Sequence, residues 1–259
     1  MNGKDYRLSR IFSEIDGHSA ILPIDHGVVM GNVEGLENPI QVLGDLYSEN
    51  IDSVLVNEGV NIQAGSILGK RKSPSRILNA STFYEDGNAF YHGQIFSPEF
   101  AVRKGYDAIK VLLLWDLPIK DRLENVQMIA SLIEKSNQWE IPVVVEPTTL
   151  RPIEDRKNRI SVLSDATRVA FELGADILKV AHPADPEVLS KWCQQFSVPI
   201  VLLGGSKNDS IEEIVRKVEE AMKLGVKGIA MGRNVWQRPI DEAKFVFHRL
   251  LQVVHPHLS

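Results

Sequence analysis

The sequence predicts an α/β chain folded as a single (β/α)8 (TIM) barrel, on three observations. Short runs rich in β-branched residues recur eight times. Each is followed by a longer stretch in which apolar residues fall at helical spacing, the pattern of βα units on a parallel sheet. No Pro/Ser-rich linker or shift of composition divides the 259 residues, a length that suits one such barrel, so residues 1–259 read as one domain.

Taken in order, the predicted strands cover residues 20–24, 53–56, 76–79, 108–113, 142–145, 177–180, 200–203 and 228–231. Several are apolar throughout instead of alternating, as strands are when helices cover one face and packed side chains fill the other. In the first, Pro23 has no N–H to give a ladder, and Gly27 permits a tight exit turn. The third unit is irregular: residues 81–96 carry Asp86-Gly87 between aromatic runs and read as an inserted hairpin, a lid or an edge excursion. Helical periodicity is clearest over residues 165–173, 186–196 and 210–224, and Leu-Gly follows two of these, consistent with a left-handed glycine ending each helix.

Composition excludes some roles. The formal net charge of −5 argues against a nucleic-acid partner, which would need clustered Lys and Arg. No run approaches the roughly 18 uncharged residues of a membrane span, and MNGKDYRLSR does not lead into an apolar leader, so a cytoplasmic enzyme is expected. A lone cysteine, Cys193, allows no intrachain disulfide and reads as a buried small hydrophobe. The basic run Lys70, Arg71 and Lys72 reads as a solvated loop, with contact to a substrate as the alternative.

Catalytic groups of this fold sit at the C-terminal strand ends and the loops beyond. The polar residues there are Asp25 and His26, Asn57 and Glu58, Lys110, Trp115 and Asp116, Glu146, Lys179 and His182, residues 204–207, and residues 232–234. Lys179 interrupts an apolar strand, where an unpaired ammonium is costly; burial favours the neutral amine that attacks a carbonyl, the alternative being a structural lysine paired with a carboxylate. Lys110 is a rival nucleophile, a neighbouring positive charge, or a partner of Glu146. Asp25 and Glu146 are a carboxylate pair suited to proton transfer, each with a structural hydrogen-bonding role as its alternative.

Gly204, Gly205 and Ser206 follow the seventh predicted strand, and Gly232 and Arg233 the eighth. Glycine-bearing exits at these two positions predict phosphate binding. His26, His182 and Lys207 are candidate substrate contacts. His92 falls in the hairpin, and His255 and His257 in the tail. No compact spacing of metal ligands appears, so neither a metal nor another cofactor is expected.

The segments ILPIDHG, DAIKVLLLWD, VVVEP, ADILKVAHP, VLLGGS and GIAMGRN together resemble the class I aldolases of the DeoC/LacD superfamily, over residues from about 19 to 238. The resemblance is closest to the branch with archaeal-type fructose-bisphosphate, tagatose-bisphosphate and sulfofructose-phosphate aldolases. It implies that Lys179 forms a Schiff base with a phosphorylated ketose, that the glycine exits hold the adjacent phosphate, and that dihydroxyacetone phosphate and an aldehyde are released. Archaeal-type fructose-bisphosphate aldolases carry a tyrosine-bearing segment near the position of Glu146. The EP pair and KVLLLWD look more like the tagatose and sulfofructose members, which implies Glu146 as acid/base, with Asp25 orienting hydroxyls or sharing that work and Lys110 setting charge. Other branches imply two rivals on the same residues, a thiolase on a phosphorylated dione and a transaldolase-like synthase. A silent sugar-phosphate-binding barrel is the reading from another class. The resemblance also implies a homo-oligomer, with the C-terminal helix and VVHPHLS tail as candidates to pack on a neighbour.

Overall fold

A computed structural model describes residues 1–47, 51–87, 89–205 and 210–258. Ten strands are present among them: β1 (Ser19–Pro23), β2 (Ser53–Val56), β3 (Ser75–Asn79), β4 (Ser81–Asp86), β5 (Ala89–Gln94), β6 (Ala108–Leu114), β7 (Val143–Thr148), β8 (Ile177–Ala181), β9 (Ile200–Leu203) and β10 (Gly228–Ala230). Eight of them close a barrel in the order β1-β2-β3-β6-β7-β8-β9-β10, and β4 and β5 form a separate antiparallel hairpin. Every barrel pairing is parallel.

Alternation along each strand separates two cores. Ile21, Leu55, Ile77, Ala108, Val144, Ile177, Val201 and Ala230, one from each barrel strand, fill the interior as one layer. Their neighbours, such as Leu22, Val54, Leu78, Ile109, Val145 and Leu178, pack outward against the helices. At roughly 1.5–3 kcal/mol for each large aliphatic side chain withdrawn from water, these two layers dominate the stability of the fold.

The polar N-terminus forms a helix, Gly3–Ile11, which closes the lower end of the barrel. Asn2 and Asp5 make a reciprocal capping box. Ile11 joins the interior layer, with Leu8 and Phe12 packed against it. Lys4 Nζ donates to Asp176 at 2.9 Å, and Arg10 Nε to Asp107 at 2.7 Å. The residues around Leu8, Ile11 and Phe12 carry too short an apolar stripe to read as a helix from sequence alone.

Other differences from the expected elements are instructive. Strand β7 runs through Pro147 to Thr148, so Glu146 lies within the strand opposite Leu112 instead of ending it. The helix expected from residue 165 begins at Arg156, capped by the Asp155 side chain; its first turns are polar and hid it. Gly174 and Gly225, at φ +98° and +107°, end helices in the left-handed region as anticipated. Cys193 is half-buried rather than fully buried. Residues 70–72 lie in the turn leading into β3, at the N-terminal end of the barrel, which removes them from any site at the C-terminal end. No helix among the described residues is long and apolar enough to cross a membrane.

The C-terminal helix Ile240–Val254 buries Val246, Phe247, Leu250 and Val254 in this chain's own core. Beyond it the tail folds back, and His255 is buried with Nδ1 2.9 Å from Asp16 and Nε2 2.9 Å from Asp52. Both ring nitrogens face carboxylates, an arrangement that favours the doubly protonated ring. Burial opposes that charge, but the bonds to Asp52 and Asp16 outweigh it and raise the imidazole's pKa.

The hairpin is tied down on two sides. The Tyr84 hydroxyl donates to the Val28 carbonyl at 2.8 Å, and His92 Nε2 to the Asp121 carbonyl at 3.1 Å. Gly87, at φ +60°, makes its turn. Phe83 and Phe90 pack against Leu112, Leu114 and Leu117, forming a small apolar cluster apart from the two main ones.

Candidate active site

Two residues beyond the interior apolar layer, toward the C-terminal ends of the strands, the same inward register becomes polar. It carries Asn57 after Leu55, Asn79 after Ile77, Lys110 after Ala108, Glu146 after Val144 and Lys179 after Ile177. Asp25, four residues beyond Ile21, joins this layer because β1 ends at Pro23 and the chain turns inward. Asn57 Nδ2 donates to the Asp25 carbonyl at 2.8 Å, and Asn79 Nδ2 to Asn57 Oδ1 at 3.1 Å, fixing that turn.

The four charged members form one cluster. Lys179 Nζ donates to Glu146 Oε2 at 2.8 Å. Lys110 Nζ meets the same oxygen at 3.0 Å and Asp25 Oδ2 at 3.4 Å. Two ammoniums and two carboxylates balance in a water-poor site. Burial would raise the Glu146 pKa, but Lys110 and Lys179 reverse this and hold it at about 2. Burial would likewise strip the proton from Lys110, yet Glu146 and Asp25 outweigh it and raise its pKa. Lys110 is therefore a fixed cation, whereas Lys179 bonds to one carboxylate at the edge of the cluster.

His26 stands beside this group, with Nδ1 3.6 Å from Asp25 Oδ1 and its ring edge-on to Trp236. Burial lowers its pKa; Asp25 opposes this, and Lys179, Lys110 and Arg233 add to it, so it is a neutral imidazole at neutral pH. A cavity of about 310 Å³ opens onto Asp25, His26, Lys110, Glu146, Lys179 and Arg233. An adjoining cavity shares Thr148, Thr149 and Arg233 with it, and reaches Arg159 and Ala181. Arg159 and Ala181 in turn line a third hollow with His182, Gly204, Gly205 and Lys217. Together these form one trough across the C-terminal ends of β7 to β10.

The anticipated phosphate residues are thus gathered along one side, with some changes of part. The Gly204 N–H already donates to the Ala230 carbonyl at 3.2 Å, so this residue shapes the hollow instead of offering its amide. A side chain at Gly232 would meet Pro23 of the first strand at about 3.0 Å, so packing by itself favours glycine there. Gly205 faces open space. Ser206 and Lys207 lie outside the described residues. His182 lines the hollow, its pKa lowered by burial and by Lys217 and Arg159.

Arg159 was not singled out in the sequence. It lies in the first turns of the helix that follows β7, and its Nη2 donates to the His182 carbonyl at 3.3 Å. The available signal was position: a basic residue opening a helix just after a strand exit lies at the C-terminal face. Of the other strand-end candidates, Glu58 is taken by Tyr106 at 2.6 Å and Lys104 at 3.4 Å, and Asp116 accepts the Leu150 and Arg151 N–H groups. Trp115 is stacked under Arg122. These three are structural.

Residues 19–238 match the DeoC/LacD family aldolase profile. The chain is a member of that family. It is 28% identical to an uncharacterized aldolase of Saccharolobus solfataricus, over 98% of this chain and 95% of that one. It is 30% identical to 2-amino-3,7-dideoxy-D-threo-hept-6-ulosonate synthase 1 of Archaeoglobus fulgidus, over 94% and 89%. A solved Schiff-base-forming fructose-1,6-bisphosphate aldolase superposes with a TM-score of 0.75 at 26% identity, over 96% of this chain and 100% of that one. The enzyme is a class I aldolase, a lyase working through a lysine Schiff base.

Proposed function

We propose that Lys179 is the Schiff-base lysine and that the enzyme cleaves a phosphorylated ketose, reversibly, into dihydroxyacetone phosphate and an aldehyde. The observation that carries this reading is the sharing of Glu146 Oε2 by Lys179 and Lys110, with Lys110 held between two carboxylates and Lys179 at the edge of the open cavity. A nucleophile has to shed its proton; the lysine with fewer counter-ions does so at less cost.

Neutral Lys179 attacks C2 of the ketose, and loss of water gives an iminium. The C4 hydroxyl loses its proton, the C3–C4 bond breaks, and its electron pair moves into the iminium to give an enamine. Protonation at C3 and hydrolysis free the ketone product and the lysine. Glu146 is the acid/base of this scheme. While Lys179 is an ammonium the carboxylate is held ionised, and loss of the ammonium proton ahead of attack removes one of its two cations. Its proton affinity therefore rises at the moment a proton must be moved. Asp25 keeps Lys110 charged and orients substrate hydroxyls, and His26 contacts substrate as a neutral imidazole. The phosphate lies along the trough near Gly205, Arg233 and Arg159, with His182 and Lys217 beside it. The iminium is the electron sink, so the scheme needs no metal.

Borohydride reduction with dihydroxyacetone phosphate, followed by peptide mass mapping, tests the assignment. A reduced adduct on Lys179 is expected; an adduct on Lys110 overturns it. The similarity to the Archaeoglobus synthase favours one second reading, transfer of the enamine to another carbonyl acceptor. Product appearing solely when a second carbonyl compound is supplied would establish transfer over simple cleavage.

A further inference from the structure

The cavity around Lys179 has two unlike halves. Its floor and the side toward β10 carry Asp25, Lys110, Glu146, Lys179 and Arg233. The rest of the lining is Val29, Met30, Phe83, Leu112, Leu114 and Leu150, with the uncharged Thr148 and Thr149 among them, while His26 stands with the charged group beside Asp25. The origin of this wall is the register of β6: Leu112 and Leu114 stand two and four residues beyond Lys110 and so face the same way. Phe83 is laid against them by the hairpin, whose ties through Tyr84 and His92 keep the wall in place.

Among the described residues that line this half, none is ionisable. Two basic residues of the following segments have partners of their own: Arg122 lies over the Trp115 ring and Arg151 pairs with Glu85 at 3.5 Å. A phosphate or sulfonate pressed against leucine and phenylalanine would lose its hydration and gain no counter-charge. An alkyl terminus would gain from the same contact.

With the donor phosphate on the Gly205 and Arg233 side, the substrate's remote half extends across Lys179 toward this wall. We infer that the aldehyde half of the substrate ends in an uncharged, largely apolar group, so that the ketose carries a phosphate at one end and none at the other. This inference rests on the Schiff-base aldolase reading of the same site. In the condensing direction, the enamine carbon attacks the aldehyde carbonyl, a C–C bond forms, and the carbonyl oxygen takes up a proton as the new hydroxyl.

The test uses the full chain with dihydroxyacetone phosphate and four aldehydes: propanal, isovaleraldehyde, glyceraldehyde and glyceraldehyde 3-phosphate. The expected result is kcat/KM at least about tenfold higher for the two alkyl aldehydes than for the phosphorylated one. The half-exposed Phe83→Arg variant places a cation at the wall and is expected to reverse that order. Preference of the unaltered enzyme for glyceraldehyde 3-phosphate, or refusal of every alkyl aldehyde, overturns the inference. Borohydride trapping with dihydroxyacetone phosphate alone separates the two levels. Adduct on Lys179 combined with a charged preference defeats this inference and leaves the Schiff-base reading standing, whereas absence of adduct defeats both.

Discussion

Lys110 and Lys179 present their ammoniums to one and the same oxygen, Oε2 of Glu146, at 3.0 and 2.8 Å. Their circumstances differ, because Lys110 also has Asp25 at 3.4 Å. Chemically identical side chains on β6 and β8 thereby differ in the number of carboxylates that each meets.

Replacement of Lys179 should abolish turnover while leaving the fold intact. Lys179→Ala keeps Lys110 between its two carboxylates, and kcat/KM for any accepted ketose phosphate should fall by at least about 10³-fold. A native circular-dichroism spectrum, with no borohydride adduct, is the expected accompaniment.

Lys110→Met should damage stability before chemistry. It leaves Asp25 without its ammonium and Glu146 with Lys179 alone, and a buried ion pair broken in this way costs about 3–5 kcal/mol. Urea unfolding gives the difference. A Lys110→Met protein as stable as the parent would show the cluster to be less dry than its packing implies.

Glu146→Gln should lower kcat by roughly 10²–10⁴-fold with a smaller effect on KM. The same residue governs acid stability. Its folded pKa is held down at about 2, so its contribution is present above the ordinary carboxylate range and is lost as pH falls toward that value. Melting temperatures of parent and Glu146→Gln proteins should therefore converge between about pH 5 and about pH 2.

His255 should act in the other direction. Its pKa is raised, so the stability it contributes is complete below the ordinary imidazole value and fades as pH climbs through the higher folded one. His255→Asn should be destabilised most below about pH 6.5, and its deficit should shrink on the alkaline side. Asp16, Asp52 and His257 surround the ring, and an unchanged deficit across that range would mean that His255 is neutral in the fold.

Arg159→Ala should raise KM for a ketose phosphate about 10-fold to 100-fold with little change in kcat, because a remote phosphate is held equally in the ground and transition states. Initial-rate kinetics, and weaker competition by inorganic phosphate, would check it.

Much was legible in the sequence. Eight apolar runs with helical stretches between them implied the closed parallel barrel, because strands covered on both faces leave no alternative to continuous hydrophobicity. A lysine within one such run is costly wherever it lies, so Lys179 and Lys110 stood out without coordinates, and Gly87, Gly174 and Gly225 announced their turns because the left-handed region favours glycine. The motifs around them implied the family that the profile match then established. Only the tertiary structure decided who faces whom. The joining of Lys110, Lys179, Glu146 and Asp25 depends on strand register around a closed barrel, which sets residues from β6, β7 and β8 at one height. The same register turned Leu112 and Leu114 inward as an apolar wall, sent the basic turn at residues 70–72 to the far end, brought Arg159 to the trough and buried His255 between two aspartates. Sequence records each side chain's chemistry and its local alternation; the cost of burying a charge is met or not by partners distant in the chain, and closure of the barrel selects them.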